Sequence, residues 1–178
     1  MTAARGAIAA VGGLGKRFAV TYLVLAAALF AIYGFPFELF GARNDWLTPY
    51  LAGYARLAGS ALSVLDPGVT VTGTRIDGRF SLQIVRNCDA IEVNILFACA
   101  VLAFPAPLGR KMLVLGGGLA LLVLANVLRI CLLYFIGAWF PSWFRVAHEE
   151  LLPLVLVTAA TLLFLGGTRY LSPLRERA

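Results

Sequence analysis

The stretch that decides the class of fold is Met112–Phe140, with the sequence MLVLGGGLALLVLANVLRICLLYFIGAWF, in which Arg129 is the only charged residue. It is longer than the roughly 20 residues that a helix needs to cross the hydrocarbon core of a bilayer. Across the chain, 61% of the 178 residues are hydrophobic, which is more apolar surface than a soluble domain of this size can bury. We therefore predict an all-α polytopic membrane protein that forms a single membrane-embedded domain over residues 1–178.

Three further apolar segments flank this stretch and are predicted to form spanning helices: Phe18–Pro36, Ala90–Phe104 and Leu151–Gly167. The first is long for the core of a signal peptide and is not followed by a small-x-small cleavage site, so an uncleaved anchor helix is expected over residues 18–36. Together the segments predict about four transmembrane helices, the last three within residues 88–168.

The segment 44–65 admits two interpretations. Its large residues recur at helical spacing on one face, while Thr48, Arg56 and Gly59 lie opposite. A one-sided stripe that includes aromatic residues favours a helix lying in the membrane interface. The alternative, a fifth spanning helix, remains open. Asn44 or Asp45 is the predicted N-cap.

A β-hairpin is expected over residues 69–86, after Asp66-Pro67-Gly68 ends the preceding helix. Asp77-Gly78 is a strong signal for a two-residue turn. Folding the chain about that turn pairs Ile76 with Arg79 and makes apolar and polar residues alternate between the two faces of the hairpin. The alternation predicts a half-buried ribbon outside the membrane.

The basic residues indicate the orientation of the chain. If the segment 44–65 does not cross, both termini share one side with Arg110-Lys111, and that side carries most of the Lys and Arg residues and a single acid, Glu176. The positive-inside rule places this side in the cytoplasm. We predict a multi-pass protein of the bacterial inner membrane, with cytoplasmic termini and a hairpin and active site that face the periplasm.

Three chemically active side chains are predicted to lie at one depth. With a rise of about 1.5 Å per helical residue, Arg129 lies roughly 27 Å above Lys111 and His148 about 31 Å above Arg169. Cys88 begins the helix that follows the hairpin. Against a hydrocarbon core of about 30 Å, all three side chains reach the outer boundary of the membrane. Lateral contact between them does not follow from this arithmetic.

A thiol, an imidazole and a guanidinium at one depth suit acyl transfer through a thioester. His148, the only histidine in the chain, would accept the thiol proton of Cys88 and later return it to a leaving amine. Arg129 would stabilise the oxyanion of a tetrahedral intermediate. Simpler interpretations also exist: His148 could be an interfacial or capping residue, and Arg129 could snorkel to the headgroups or pair with Glu92.

Neither a metal nor another cofactor is expected. Cys88, Cys99 and Cys131 match no C-x-x-C or zinc spacing, and a single histidine leaves too few ligands for a tetrahedral metal site. Cys99 and Cys131 fall inside apolar runs, where a thiol usually acts as a small hydrophobic group. The net charge of +6 comes from residues that flank apolar segments, so lipid rather than nucleic acid is the expected surrounding.

Three blocks of sequence resemble the exosortase/archaeosortase family. They are Asn87-Cys88-Asp89-Ala90-Ile91-Glu92, Asn126-Val127-Leu128-Arg129-Ile130 and Phe144-Arg145-Val146-Ala147-His148. The resemblance covers roughly residues 69–165, and the short chain and the glutamate four residues after the cysteine look most like exosortase H. Many members of the family carry Ser-Gly after the cysteine, where this chain has Asp89-Ala90.

The resemblance implies a membrane cysteine protease or transpeptidase that cleaves the C-terminal sorting tails of exported proteins. Such tails combine a short motif, a transmembrane helix and a basic end, and the proteins that carry them are the implied partners. Cys88 would be the nucleophile, Arg129 the stabiliser of the thiolate or oxyanion, and His148 the acid and base. Asn126, which shares a helix face with Arg129, either orients the arginine or packs the helix, and Glu92 is the second supporting candidate.

Two other classes of function compete with this one. A non-catalytic scaffold or assembly subunit of an envelope system needs only a helix bundle. A small transporter could use Arg129, Glu92 and His148 as an ion path, but it should carry polar groups through the bilayer midplane. The two long segments are apolar there, which disfavours transport.

Overall fold

The computed structural model of the chain describes residues 2–34, 47–88 and 90–171. Its helices are α1 (Thr2–Gly34), α2 (Leu47–Leu65), α3 (Ile91–Ala103), α4 (Leu108–Trp139), α5 (Phe144–Val146) and α6 (Leu152–Leu171), and its strands are β1 (Thr70–Thr72), β2 (Arg75–Asp77) and β3 (Leu82–Gln83). A 3-10 turn, Arg86–Cys88, precedes α3, and a 3-10 turn, Pro141–Trp143, and a π turn, Ala147–Leu151, lie between α4 and α6. Helices with one small sheet confirm the predicted class, an all-α membrane protein.

Three stretches are long and apolar enough to cross a membrane, judged by length and composition: Gly15–Gly34, Leu108–Trp139 and Pro141–Leu171. They correspond to three of the four predicted spans. The fourth forms α3, a shorter apolar helix of 13 residues, or about 20 Å. This helix is short because Ala90 adopts a left-handed φ of +57° just before it and Pro105 follows just after it.

Helix α2 buries Leu51, Tyr54, Ala58 and Leu62 of the apolar stripe that its sequence predicts, whereas Leu57 and Leu65 of the same stripe are exposed. It is not among the described stretches that meet the length and composition expected of a span. Gly59, which the periodicity places on the opposite face, is also buried, because Val71 of β1 packs directly on it. The predicted caps Asn44 and Asp45, and Pro36 at the end of the predicted anchor, lie outside the described residues.

The sheet corrects the predicted register of the hairpin. Strands β1 and β2 pair antiparallel with Val71 opposite Ile76, and β2 and β3 pair antiparallel with Ile76 opposite Leu82. The predicted pairing of Ile76 with Arg79 about an Asp77-Gly78 turn is therefore wrong. The chain forms a three-stranded sheet in the order β1-β2-β3 rather than one long hairpin.

Two glycines explain the difference. Gly73 has a φ of +60° and forms, with Thr74, the two-residue turn between β1 and β2. Glycine in the first central position is typical of a type II′ turn. Gly78 instead permits a close approach, because a Cβ at this position would collide with the hydroxyl of Tyr134 on α4. The Asp-Gly signal thus marks a packing requirement in the wider loop between β2 and β3.

The described residues divide into two compact units. One contains residues 2–34, 92–119 and 160–171, and within it the rings of Phe18, Phe104 and Phe164 pack together at centroid distances of 6.3 to 6.4 Å. The other contains residues 47–88, 90–91 and 120–159. Its buried core joins α2, the sheet and α4 through Tyr54, Leu62, Ile76, Ile84, Ile130 and Tyr134. The three side chains singled out by the depth argument all belong to this second unit.

Candidate active site

Cys88 is the last residue of the 3-10 turn that follows β3. Its backbone N–H donates to the carbonyl of Val85 at 2.7 Å, which closes the turn, and only 3% of the residue is exposed. Ala90 then takes the left-handed conformation that reverses the chain into α3. The sheet and this turn together place the thiol in a buried position just after β3.

His148 lies in the π turn that leads into α6. The N–H of Leu152 bonds to the carbonyl of Ala147, five residues back, as a π turn requires. Pro153 has no N–H to offer to Glu149, which favours this wider turn over a regular α turn. The turn brings His148 Nε2 to 3.1 Å from Cys88 Sγ, so the thiol and the imidazole are within hydrogen-bond reach.

Asn126 and Arg129 come from the middle of α4, and both are buried. The Nδ2 of Asn126 donates to the carbonyl of Cys88 at 2.9 Å. The guanidinium of Arg129 donates to Asn126 Oδ1 at 3.5 Å and to the carbonyl of His148 at 3.4 Å. The arginine and the asparagine therefore bridge the two chain segments that carry the thiol and the imidazole.

A small cavity adjoins the arginine. It has a volume of about 100 Å³ and lies between α4 and α6, where Arg129 is its only charged wall residue. The remaining wall is apolar and consists of Ala125, Leu128, Leu132, Leu152, Val155, Leu156 and Ala159. Arg129 is thus buried against protein on one side and borders open space on the other.

Two aromatic residues next to the histidine were not anticipated from sequence. Phe144 stacks on the imidazole of His148, with ring centroids 5.8 Å apart and planes 19° apart, and Phe80 packs on Phe144 at 5.2 Å. The spacing of four residues between Phe144 and His148 was a usable signal, because such residues are neighbours on a helix. Phe80 gave no signal, since it comes from the loop between β2 and β3.

A second polar cluster in the same unit was also missed. The hydroxyl of Tyr134 donates to Asp66 Oδ2 at 2.7 Å and accepts the backbone N–H of Arg79 at 2.7 Å. Arg79 Nε lies 3.4 Å from the same carboxylate. The Tyr134 hydrogen bond, with help from the N–H of Gly68 and the charge of Arg79, holds the pKa of Asp66 below its usual value of 3.8. This cluster ties the end of α2 and the β2–β3 loop to α4.

The remaining candidates play no part in these contacts. Glu92 lies in the first turn of α3, and its supporting role stays a prediction. Cys131 directs its sulfur toward the carbonyl of Ala58 at 3.8 Å, and Cys99 is fully buried. Within residues 2–34, 47–88 and 90–171, no group of three or more His, Cys, Asp or Glu residues is arranged to hold a metal ion.

Comparison with known proteins identifies the family of the chain. A family model described as transmembrane exosortase matches residues 2–165. No curated protein and no solved structure matches the chain. The family match spans most of the chain and includes all three blocks that carry the resemblance. The chain therefore belongs to the transmembrane exosortase family.

Proposed function

We propose that this protein is a cysteine peptidase or transpeptidase that cleaves the C-terminal tails of exported proteins at the periplasmic face of the bacterial inner membrane. The observation that carries the proposal is the 3.1 Å separation of Cys88 Sγ and His148 Nε2 beside a buried arginine. A histidine that only capped a helix or lay in the interface would have no reason to meet a buried thiol.

The first step forms a bond between sulfur and carbon. Neutral His148 accepts the proton of the Cys88 thiol, and the sulfur attacks the scissile carbonyl carbon. The carbonyl π electrons move onto the oxygen, and the guanidinium of Arg129 stabilises that oxyanion. The cavity that Arg129 borders supports this role, because it leaves open space next to the guanidinium.

The second step breaks the peptide bond. The oxyanion collapses, the carbon–nitrogen bond cleaves, and the imidazolium of His148 donates its proton to the departing amine. The exported protein is left as a thioester on Cys88. An acceptor amine then attacks the thioester in transpeptidation, or water attacks it in hydrolysis, and neutral His148 takes a proton from that nucleophile. The carbon–sulfur bond breaks, and His148 gives this proton to the departing sulfur.

Asn126 supports both groups in this mechanism. Its amide holds the carbonyl of Cys88 and accepts from Arg129, so one side chain sets the position of nucleophile and cation together. This is a positioning role, because the hydrogen bonds of Asn126 go to the carbonyl of Cys88 and to Arg129 rather than to the thiol. The substrates are exported proteins whose tails combine a motif, a transmembrane helix and a basic end.

The test is tail loss in cells that produce the full-length chain together with exported reporters of this design. Cys88→Ala, Arg129→Ala and His148→Ala should each abolish tail loss, and Cys131→Ala is the matched thiol control. Cys131 lies on the same helix as Arg129 but contacts Ala58, so its variant should process the tail like the wild type. A thioester adduct on Cys88 that hydroxylamine releases would identify the intermediate. Equal tail loss with wild type and with Cys88→Ala would refute the proposed peptidase activity and would favour a non-catalytic scaffold subunit.

A further inference from the structure

We propose that Phe144, supported by Phe80, is a positioning residue that holds the imidazole of His148 toward the thiol of Cys88. The inference deepens the proposed function, since it concerns the orientation of the base at the same site. It starts from the arrangement of three rings, which come from the β2–β3 loop, α5 and the π turn.

The base needs an orienting group that hydrogen bonds do not supply. In nucleophile–base pairs, a third group usually fixes the ring of the base. Among the residues that the structure describes, His148 Nε2 faces the thiol, and no hydrogen bond to Nδ1 is found. The ring of Phe144 instead packs on the imidazole in an offset stack, with centroids 5.8 Å apart and planes 19° apart. Stacking restricts rotation of the imidazole about its own bond, and that rotation would carry Nε2 away from sulfur.

Phe144 is itself held in place by a second aromatic ring, that of Phe80. The ring of Phe80 packs against it and lies so close to Gly137 of α4 that a Cβ at Gly137 would collide with the ring. Phe80 is therefore wedged between α4 and α5. The loop that carries it is fixed by its neighbour, because the N–H of Arg79 donates to Tyr134. The ring stack thus has a rigid support on α4.

The ring also suits the charged state of the base. When His148 takes the thiol proton it becomes an imidazolium, and an aromatic face attracts a cation placed over it. Phe144 therefore favours both the orientation and the charge that the attack on the substrate requires. An aliphatic side chain would fill the space without either effect.

The experiment measures the reactivity of Cys88 directly and needs no substrate. The purified full-length chain is treated with iodoacetamide at pH 7, and mass spectrometry follows the peptide that contains Cys88. The variants are Phe144→Leu, Phe144→Tyr and Phe80→Leu, each alone and combined with His148→Ala. Trp139→Leu is the matched control, because Trp139 stacks on Phe135 in the same unit and belongs to no contact with His148. Buried Cys99 reports loss of folding in every sample.

We expect Phe144→Leu to slow modification about fivefold to tenfold, in line with the strength of aromatic pairs. Phe80→Leu should slow it less, Phe144→Tyr should remain within about twofold, and Trp139→Leu should match the wild type. In the His148→Ala background, Phe144→Leu should cause no further loss, because a positioning residue acts only through the base.

Two results would overturn the inference: an unchanged rate in Phe144→Leu, or the same loss with and without His148. If Phe144→Leu unfolds the protein and exposes Cys99, the test uses Phe80→Leu instead. Its rate of Cys88 modification is then compared with and without His148. A reactivity pattern as expected, combined with no tail cleavage, would keep the positioning role and reject the proposed function.

Discussion

Ala90 holds a backbone conformation that normally belongs to glycine. Its φ of +57° lies in the left-handed region, which costs an ordinary L-residue about 1–2 kcal/mol. The position follows Cys88 by two residues, where the family pattern described above has the glycine of Ser-Gly. Ala90 therefore adopts the left-handed turn without a glycine and adds strain two residues after Cys88.

Ala90→Gly should stabilise the protein by about 0.5–1 kcal/mol, because relief of the left-handed strain exceeds the entropy cost of a glycine. Unfolding of the detergent-solubilised chain by heat or denaturant measures the change. Ala100→Gly, in the interior of α3, is the control and should act in the opposite direction by about 1 kcal/mol. Equal destabilisation by both substitutions would show that Ala90 is not strained.

Asn126→Asp tests the buried amide with almost no change in size. A carboxylate cannot donate to the carbonyl of Cys88, and its charge would pair with the guanidinium 3.5 Å away. Both effects would weaken the proposed oxyanion site, so we expect tail cleavage to fall by about 100-fold or more. The measurement is the rate of tail loss at equal protein level. Cleavage at the rate of the wild type would rule out a role for this amide.

Sequence reasoning placed the candidate residues of the site at one depth but could not predict how they touch. Depth along a helix follows from counting residues, and it placed Cys88, Arg129 and His148 in one layer. Their lateral contact depends on how each helix is rotated, and the π turn at His148 alters that rotation locally. The role of Phe80 could not be predicted from sequence for the same reason. Its contact with Phe144 exists only after the sheet has packed on α4.

The elements of the second unit are fitted together by close approaches between small and large residues. Gly59 on α2 accepts Val71 of β1, and Gly78 accepts the hydroxyl of Tyr134. The alternation of apolar residues predicted a half-buried ribbon, and the buried side chains of Leu82 and Ile84 agree with it. The register was mispredicted because two glycines compete as turn residues, and tertiary contact decides between them.

Gly59→Ala should destabilise the protein by about 1–3 kcal/mol, because the new methyl group overlaps Val71 and forces α2 and β1 apart. Combining it with Val71→Ala should recover part of that loss by making room. The unfolding midpoints of the single and double variants give the coupling between the two sites. Strictly additive losses would mean that the two residues do not meet.

The Asp66–Tyr134 contact predicts a pH-dependent contribution to stability. The folded protein lowers the pKa of Asp66, mainly through the Tyr134 hydrogen bond, so the contribution is present above the usual carboxyl pKa. It is lost as the pH falls through the lowered value. Tyr134→Phe should therefore lower the melting temperature by a few degrees at pH 7, and the difference from wild type should shrink below about pH 4.

Tyr54→Phe is the matched control for this measurement. Tyr54 is a buried tyrosine in the same core, and its hydroxyl accepts from Tyr50 at 3.3 Å rather than contacting a carboxylate. Its effect on the melting temperature should be the same at pH 7 and at pH 4. A pH-independent effect of Tyr134→Phe as well would show that the carboxylate gains nothing from the hydroxyl.

At the scale of the whole molecule, the number of membrane crossings decides which side of the membrane each terminus faces. Three stretches meet the length and composition of a span, and α3 does not. Three crossings would put the termini on opposite sides, whereas four would put them on the same side. The distribution of basic residues favours four, because Arg110-Lys111 lies at the start of α4, after the loop that follows α3, and the positive-inside rule assigns this pair to the cytoplasm.

Helix α3 is short for a membrane crossing, but a capping contact at its end and local thinning of the bilayer compensate for its length. Its 13 residues span about 20 Å, roughly 10 Å less than a typical hydrocarbon core. The ammonium group of Lys111 reaches back to the carbonyl of Leu102 at 2.6 Å, which satisfies one of the last carbonyls of the helix. A bilayer thins around a short span at a cost of fractions of a kcal/mol per Å. We therefore expect α3 to cross.

Reporter insertions test whether α3 crosses the membrane. Alkaline phosphatase, which is active only outside the cytoplasm, should be active when inserted at the Gly73–Thr74 turn and inactive when inserted between Pro105 and Pro107. Green fluorescent protein, which fluoresces when it folds in the cytoplasm, should fluoresce at the C-terminus. If both phosphatase insertions behave alike, α3 does not cross, and the charge rule fails for this chain. If the Gly73–Thr74 insertion is inactive, the thiol and imidazole face the cytoplasm, where tails of exported proteins cannot reach them after export.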